Sequence, residues 1–311
     1  MGLLELAPFE HVAALPLQDS MNSNTSRASA NHQVDGSSIF LLVGSQRSGT
    51  NFLRELIGTN PAAVVNGEVL FPYPLPNCYH NFVRTMVSRQ MPPLHYEDGI
   101  GLIDEYLVFL REDCKRSYPA KAGMVKALGL DVKYNQLRFI TPVHYDLHLR
   151  PLFLEYCSRR GVPILHLVRT NVLHQALSMA LAEARNVYHN YDGGRTVAPI
   201  AVEVPRVLQC ARWVESEAAV FRDMTRDLRV MEISYERLIA ACARVAPGAK
   251  LGVSARVMGE VANFLGLEND FEHPASIKKV VDRPYQELLT NYADVVAAVR
   301  GSEFEPFLDS I

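Results

Sequence analysis

A chain of 311 residues with 48% hydrophobic and 21% charged side chains is long enough for one large α/β domain or two small ones, with ordinary globular composition. Its 31 basic and 34 acidic residues leave a net charge of −3, which excludes a global field that would gather nucleic acid or anionic lipid; anion recognition has to be local. No stretch approaches the ~20 apolar residues of a membrane span, and five scattered cysteines (Cys78, Cys114, Cys157, Cys210, Cys242) without a Cys-x-x-Cys pair read as buried free thiols of a reducing compartment. With Glu5 and Glu10 near the start and no basic leader, a cytoplasmic location is expected.

Residues 1–37 divide into a segment with scattered apolar positions, able to dock as a short helix, and a Ser/Asn-rich flexible linker; the folded core is expected from Ser38 to the end. Residues 39–53, IFLLVGSQRSGTNFL, then read as strand, polar loop and helix start. Gly44 and Gly49 keep the Gly-x4-Gly spacing of a P-loop, in which backbone amides and a helix N-terminus wrap an anionic oxygen cluster. A nucleoside triphosphatase continues Gly-Lys-Ser/Thr, whereas this loop continues Gly49-Thr50-Asn51 and carries its cation earlier, at Arg47. That points to a donor other than ATP.

A second strand is expected to end at Asn66-Gly67-Glu68, where Glu68 is either a turn residue or a carboxylate placed to take a proton. Residues 72–98, with Pro72, Pro74, Pro76, Pro92 and Pro93, are expected to be an irregular, substrate-facing loop. Residues 125–132 are a weaker strand candidate, on which Asp131 and Lys133 share one face. Residues 162–168 form a buried strand ending at Arg169, followed by a helix over 171–185 that contains Ser178. A strand-end arginine can fork onto a phosphate and a facing serine can add a hydroxyl; a strand cap and a helix back-bond are the alternative. A helix over 205–226 leads into a strand over 228–233, then Tyr235. Helical spacing returns over 252–266, and after Lys278, Lys279 and Arg283 helix resumes from Pro284. Those three cations are either a solvated cluster or part of an anion site. Strands separated by helices imply right-handed crossovers and a parallel sheet. The histidines, including His80 and His95, show no metal-ligand spacing.

Taken together, QRSGTNFL, Gly67-Glu68, Arg169 to Ser178, Tyr235-Glu236-Arg237-Leu238 and Lys279 to Arg283 resemble, in family order, the segments of sulfotransferases that use 3′-phosphoadenosine 5′-phosphosulfate (PAPS). The pattern is most similar to the bacterial trehalose and nodulation-factor type and to protein-tyrosine sulfotransferases. Asn51 replaces the usual second Thr or Ser of the loop, and Asp131 stands where members commonly carry Lys, with Lys133 as its possible substitute. The resemblance implies an α/β, P-loop-like three-layer domain with a central parallel sheet flanked by helices. It implies that PAPS is held by Gln46, Arg47, Ser48, Gly49, Thr50, Asn51, Phe52, Arg169, Ser178, Tyr235, Lys279 and Arg283. Glu68, next to a donor-binding arginine, is the implied general base, with Arg47 stabilising the leaving group and no metal required. The implied acceptor is a small-molecule or carbohydrate hydroxyl, or an amine; neither nucleic acid nor membrane is an expected partner, and a homodimer is left open. Two other readings stand beside it: a P-loop small-molecule kinase, and a non-catalytic nucleotide-binding module of a biosynthetic complex.

Overall fold

The computed structural model describes residues 38–72, 75–88, 96–138, 150–186, 198–239, 253–272 and 283–311, all within one compact unit spanning 31–311. Five strands, β1 (Ser38–Gly44), β2 (Ala63–Gly67), β3 (Ala127–Lys133), β4 (Ile164–Val168) and β5 (Val230–Ser234), pair in parallel in the order β2-β3-β1-β4-β5. Central strands of such a sheet are apolar on both faces, because helices cover both. Along β1, Ile39, Leu41 and Val43 enter one core while Phe40 and Leu42 enter another. The expected fold class is therefore the observed one: helix, parallel sheet, helix.

One layer is made by α1 (Thr50–Gly58), whose Phe52, Leu53, Leu56 and Ile57 pack on Phe40, Leu42, Leu165 and Leu167. The opposite layer is made by α3 (Tyr96–Ser117), which follows α2 (Tyr79–Ser88), and by α4 (Leu152–Arg160). A third cluster joins α5 (Val172–Arg185) to α6 (Val204–Met224). After β5 come α7 (Tyr235–Ile239) and α8 (Ala255–Leu265), the latter on the α1 side. The short α9 (Tyr285–Leu288) and α10 (Tyr292–Val299) complete the α5–α6 cluster. Among the described residues no helix is long and apolar enough to cross a membrane.

Two small residues fix how the layers close. Gly129 lies opposite Phe40 in the register, and a Cβ there would run into the Phe40 ring, so the glycine is where that ring lies flat on the sheet. At the far end of α1, Lys121 Nζ donates to the carbonyls of Gly58 (2.6 Å), Asn60 (2.9 Å) and Ala63 (2.9 Å), stitching the helix C-terminus to β2.

Two expectations are corrected. The stretch 72–98 contains α2: Tyr79, Phe82, Val83 and Met86 repeat at helical spacing between the flanking prolines, and all four pack into the core. The helix expected from Pro284 breaks at Leu289, because the backbone there pairs with Ile200 and the Asn291 amide clamps Val202 through bonds of 2.8 and 3.1 Å. The docking helix and linker expected over 1–37, together with Lys278, Lys279, Cys242 and His95, lie outside the described residues.

Because the strands are parallel, their carboxyl ends share one edge, and the residues leaving them are Ser45, Glu68, Tyr134, Arg169 and Tyr235. The chain runs from central β1 to β2 and β3 on one side, then crosses to β4 and β5 on the other. The reversal places a crevice at the carboxyl ends of β1 and β4, the usual ligand position in open α/β sheets.

Candidate functional site

The loop after β1 turns sharply. Gly49 has φ 100° and Arg47 φ 62°, a left-handed conformation that a non-glycine residue adopts only when its surroundings impose it. A Cβ at Gly44 would lie 2.7 Å from the Leu167 carbonyl, so glycine lets the loop leave β1 close against β4. Ser48 Oγ donates to the Ser45 carbonyl at 2.8 Å. From α5, fully buried Gln175 donates through Nε2 to the Gln46 carbonyl at 2.6 Å and also to Ser45 Oγ. Helix α1 then begins with Gly49 at its N-cap, no side-chain cap and no acid in its first turn. Its amide-bearing end is thus electropositive toward the crevice.

Three expected residues that are far apart in sequence meet beside this loop. Arg47 Nε donates to Ser178 Oγ of α5 at 3.1 Å, and Arg169 at the end of β4 donates through a terminal nitrogen to the Arg47 carbonyl at 3.4 Å. Arg169 also lies over the Tyr235 ring at 4.7 Å, a cation–π contact. The other edge of that ring fills the space in front of Gly49, where a Cβ would come within 2.5 Å of it, and Phe52 meets it edge-on at 6.5 Å. Tyr235 therefore packs between loop and arginine. Burial first, and the Arg169 charge second, lower the pKa of Arg47. Two guanidiniums held together in this way have a strong demand for an anion between them. Glu236 meets that demand poorly: its carboxylate accepts from the Thr170 and Asn171 amides at 2.9 and 3.3 Å and stays 3.9 Å from Arg169 Nε. Half-buried Arg283 precedes Tyr285, whose hydroxyl lies 2.7 Å from His174 Nδ1 and feels both arginine charges.

The other half of the site is built on β3. Asp131, with no exposed surface, accepts from Lys133 Nζ at 2.6 Å and faces an Arg54 nitrogen at 3.5 Å. Arg54 reaches it by passing over Gly67, where any Cβ would block the guanidinium. The Lys133 ammonium continues to Thr50 Oγ1 at 2.5 Å, in the first turn of α1. The loop thus receives a cation from a neighbouring strand, and Asp131 holds that cation in place. Glu68 follows directly, with φ 46° and its amide donating to the Asp131 carbonyl at 3.0 Å. An arginine neighbour was expected for Glu68. Among the described residues its carboxylate accepts from the amide of Gln136, at 2.9 Å.

Asn51 lies in the first turn of α1 with its Oδ1 buried and, among the described residues, without a hydrogen-bond partner. Gln175, Gln136, Arg54 and Tyr285 were not among the expected site residues. Gln136 and Gln175 each stand in a segment that resembles the sulfotransferase pattern, whereas Arg54 and Tyr285 depend on how the elements pack. The four described cysteines are buried, as expected. On the far face of the sheet His166 lies between Tyr134, whose hydroxyl is 2.6 Å from Nε2, and Glu232, 3.0 Å from Nδ1; burial, against the pull of Glu232, lowers its pKa to about 4. Among the described residues no group of three or more His, Cys, Asp or Glu is placed to hold a metal.

No protein-family model and no curated protein sequence matches this chain. Among solved structures, the sulfotransferase domain of the Synechococcus PCC 7002 olefin synthase is similar, with 13% identity, 89% of this chain and 98% of that one covered, and a TM-score of 0.42. Mouse sulfotransferase SULT7A1 complexed with PAP is similar over 88% of each chain, with 12% identity and a TM-score of 0.37. At such identities and TM-scores the likeness decides nothing about chemistry.

Proposed function

We propose that this protein is a PAPS-dependent sulfotransferase that moves a sulfuryl group to a hydroxyl or amine of a small-molecule or carbohydrate acceptor. The observation that carries the proposal is the convergence of Arg47, Ser178 and Arg169 beside an uncapped helix N-terminus, in a loop without the P-loop lysine. That is a place for two separate phosphate groups of one nucleotide. The loop amides at Gln46–Phe52 take the 5′-phosphosulfate, and Arg169 with Ser178 takes the ribose 3′-phosphate, which ATP lacks. Lys279 and Arg283 are assigned to the same phosphate from the C-terminal segment, and Tyr235 to framing the nucleotide.

In the reaction the acceptor oxygen or nitrogen attacks sulfur. The new bond to sulfur forms as the S–O bond to the 5′-phosphate breaks, the acceptor proton passes to Glu68, and the electron pair leaves on the phosphate. Arg47, Thr50 and the ammonium that Lys133 brings to Thr50 stabilise that developing charge. The same ammonium keeps a kinase reading in play, because it supplies by another route the cation that the loop lacks.

Calorimetry separates the two. PAP, the product nucleotide, is expected to bind at least roughly tenfold tighter than ATP with Mg²⁺, and Arg169→Ala to erase that preference, since one charge-assisted contact is worth about 1.5–3 kcal/mol. Equal affinity for both nucleotides, lowered equally by the substitution, overturns the proposal. A purely binding role is separated by turnover: Glu68→Gln is expected to slow PAP release by roughly 100- to 10,000-fold without weakening PAP binding.

A further inference from the structure

We infer that Gln136 is the positioning residue of the site: it donates to Glu68 Oε2, holds the carboxylate in one orientation, and leaves Oε1 as the oxygen that receives the acceptor's proton. The inference rests on the reading of Glu68 as the base. Gln136 has no exposed surface and sits in a 3₁₀ turn, Tyr134–Arg138, that follows β3 directly. Its Oε1 accepts the Lys133 backbone amide at 3.0 Å, and its Nε2 reaches Glu68 Oε2 at 2.9 Å. Which end of the amide faces which neighbour is fixed by chemistry. A backbone N–H only donates, so the carbonyl oxygen of Gln136 must face Lys133, and its NH₂ must then face Glu68.

The backbone of Glu68 points the same way. Its φ of 46° is left-handed, a conformation kept by non-glycine residues where the surroundings over-determine it, and its amide stays tied to the Asp131 carbonyl. Main chain and side chain of Glu68 are thus both fixed by one turn of chain, residues 131–136. Lys133 links that turn to the nucleotide loop, since its amide orients Gln136 while its ammonium donates to Thr50. A carboxylate free to rotate would spend much of its time out of line with an acceptor, and small misplacements of a reacting group are costly in rate. A turn-closing role alone would use only the Gln136 oxygen and would leave the NH₂ without a function.

The test is a double-substitution cycle read on release of PAP from PAPS. The acceptors are a disaccharide, a phenol, an aliphatic alcohol and an amine, with water where none of these reacts. Gln136→Met keeps the length and removes the donor. It is expected to lower kcat roughly 10- to 100-fold with donor KM and PAP affinity unchanged, and to cost nothing further in a Glu68→Gln background. The same fold-loss in both backgrounds, a loss explained by weaker PAP binding, or no loss at all overturns the inference. Should Gln136→Met fail to fold, as judged by its melting transition, Gln136→Glu keeps the acceptor for the Lys133 amide and sets a second carboxyl against Glu68; it is expected to move the pH dependence of kcat that reports the base upward, and an unchanged pH profile overturns the inference. Full turnover by Glu68→Gln alone removes the base and the inference with it. A native protein that binds PAP but never turns PAPS over sinks the reading on which the inference rests, and calorimetry tells that failure from the others.

Discussion

Asp131 has no access to water and Lys133 has little, while Arg54 on the other side is partly exposed. Taking a lone charge out of water costs several kcal/mol, so each member of Arg54–Asp131–Lys133 persists only while its partners do. Asp131→Ala leaves the Lys133 ammonium buried beside Thr50 with its counter-charge gone. The expected loss is about 3–5 kcal/mol of unfolding free energy, measured by denaturant titration. Lys133→Met, which removes the ammonium while leaving Arg54 opposite the carboxylate, is expected to cost less. A cost below ~1 kcal/mol for Asp131→Ala would mean that Lys133 is already solvated. Asp131 is thus the support of the lysine two residues on.

Among the elements, the loop and the start of α1 depend most on their neighbours. Gly49 is left-handed and packed against the Tyr235 ring, so Gly49→Ala meets both a strained backbone and a side chain that cannot retreat past Arg169. The expected cost is about 1–3 kcal/mol in stability together with a weakening of PAP binding. Melting and calorimetry check both, and a variant that melts like wild type and binds PAP normally contradicts the role given to Tyr235. All the strands were legible in sequence to within a few residues, because short apolar runs such as 39–43 and 164–168 serve two cores at once. That Glu68, Arg169 and Tyr235 leave strand ends was legible because each follows an apolar run, whereas the roles assigned to them come from the resemblance to sulfotransferases. The helix α2 was not, since prolines on both sides masked its periodicity. Nor was the bond from Lys133 to Thr50 or the one from Gln136 to Glu68: both require β3 to lie between β1 and β2, and strand order is not written in any local pattern.

For the molecule as a whole, the buried His166 makes stability depend on pH. The unfolded chain takes up its proton near pH 6.5, the folded one only near pH 4, so falling pH favours the unfolded chain across that interval. This group contributes its full stabilisation above pH 6.5 and loses it progressively toward pH 4, in total about 3 kcal/mol. Glu232 and Arg222, bonded at 2.7 and 3.1 Å, close the same network from the solvent side. Unfolding free energies measured from pH 7 to pH 4 are expected to fall more steeply for wild type than for His166→Gln; parallel profiles exclude this histidine as the cause.

Gln175, which holds the nucleotide loop from 129 and 130 residues further along the chain, has a consequence for biosynthesis. While the protein is being made, Arg47 emerges long before the glutamine that braces its loop and the arginine that completes the phosphate pair. A nascent chain halted after β3 owns the glycines but neither Arg169 nor Gln175. On the proposed function, competence to bind the donor therefore arrives late in translation.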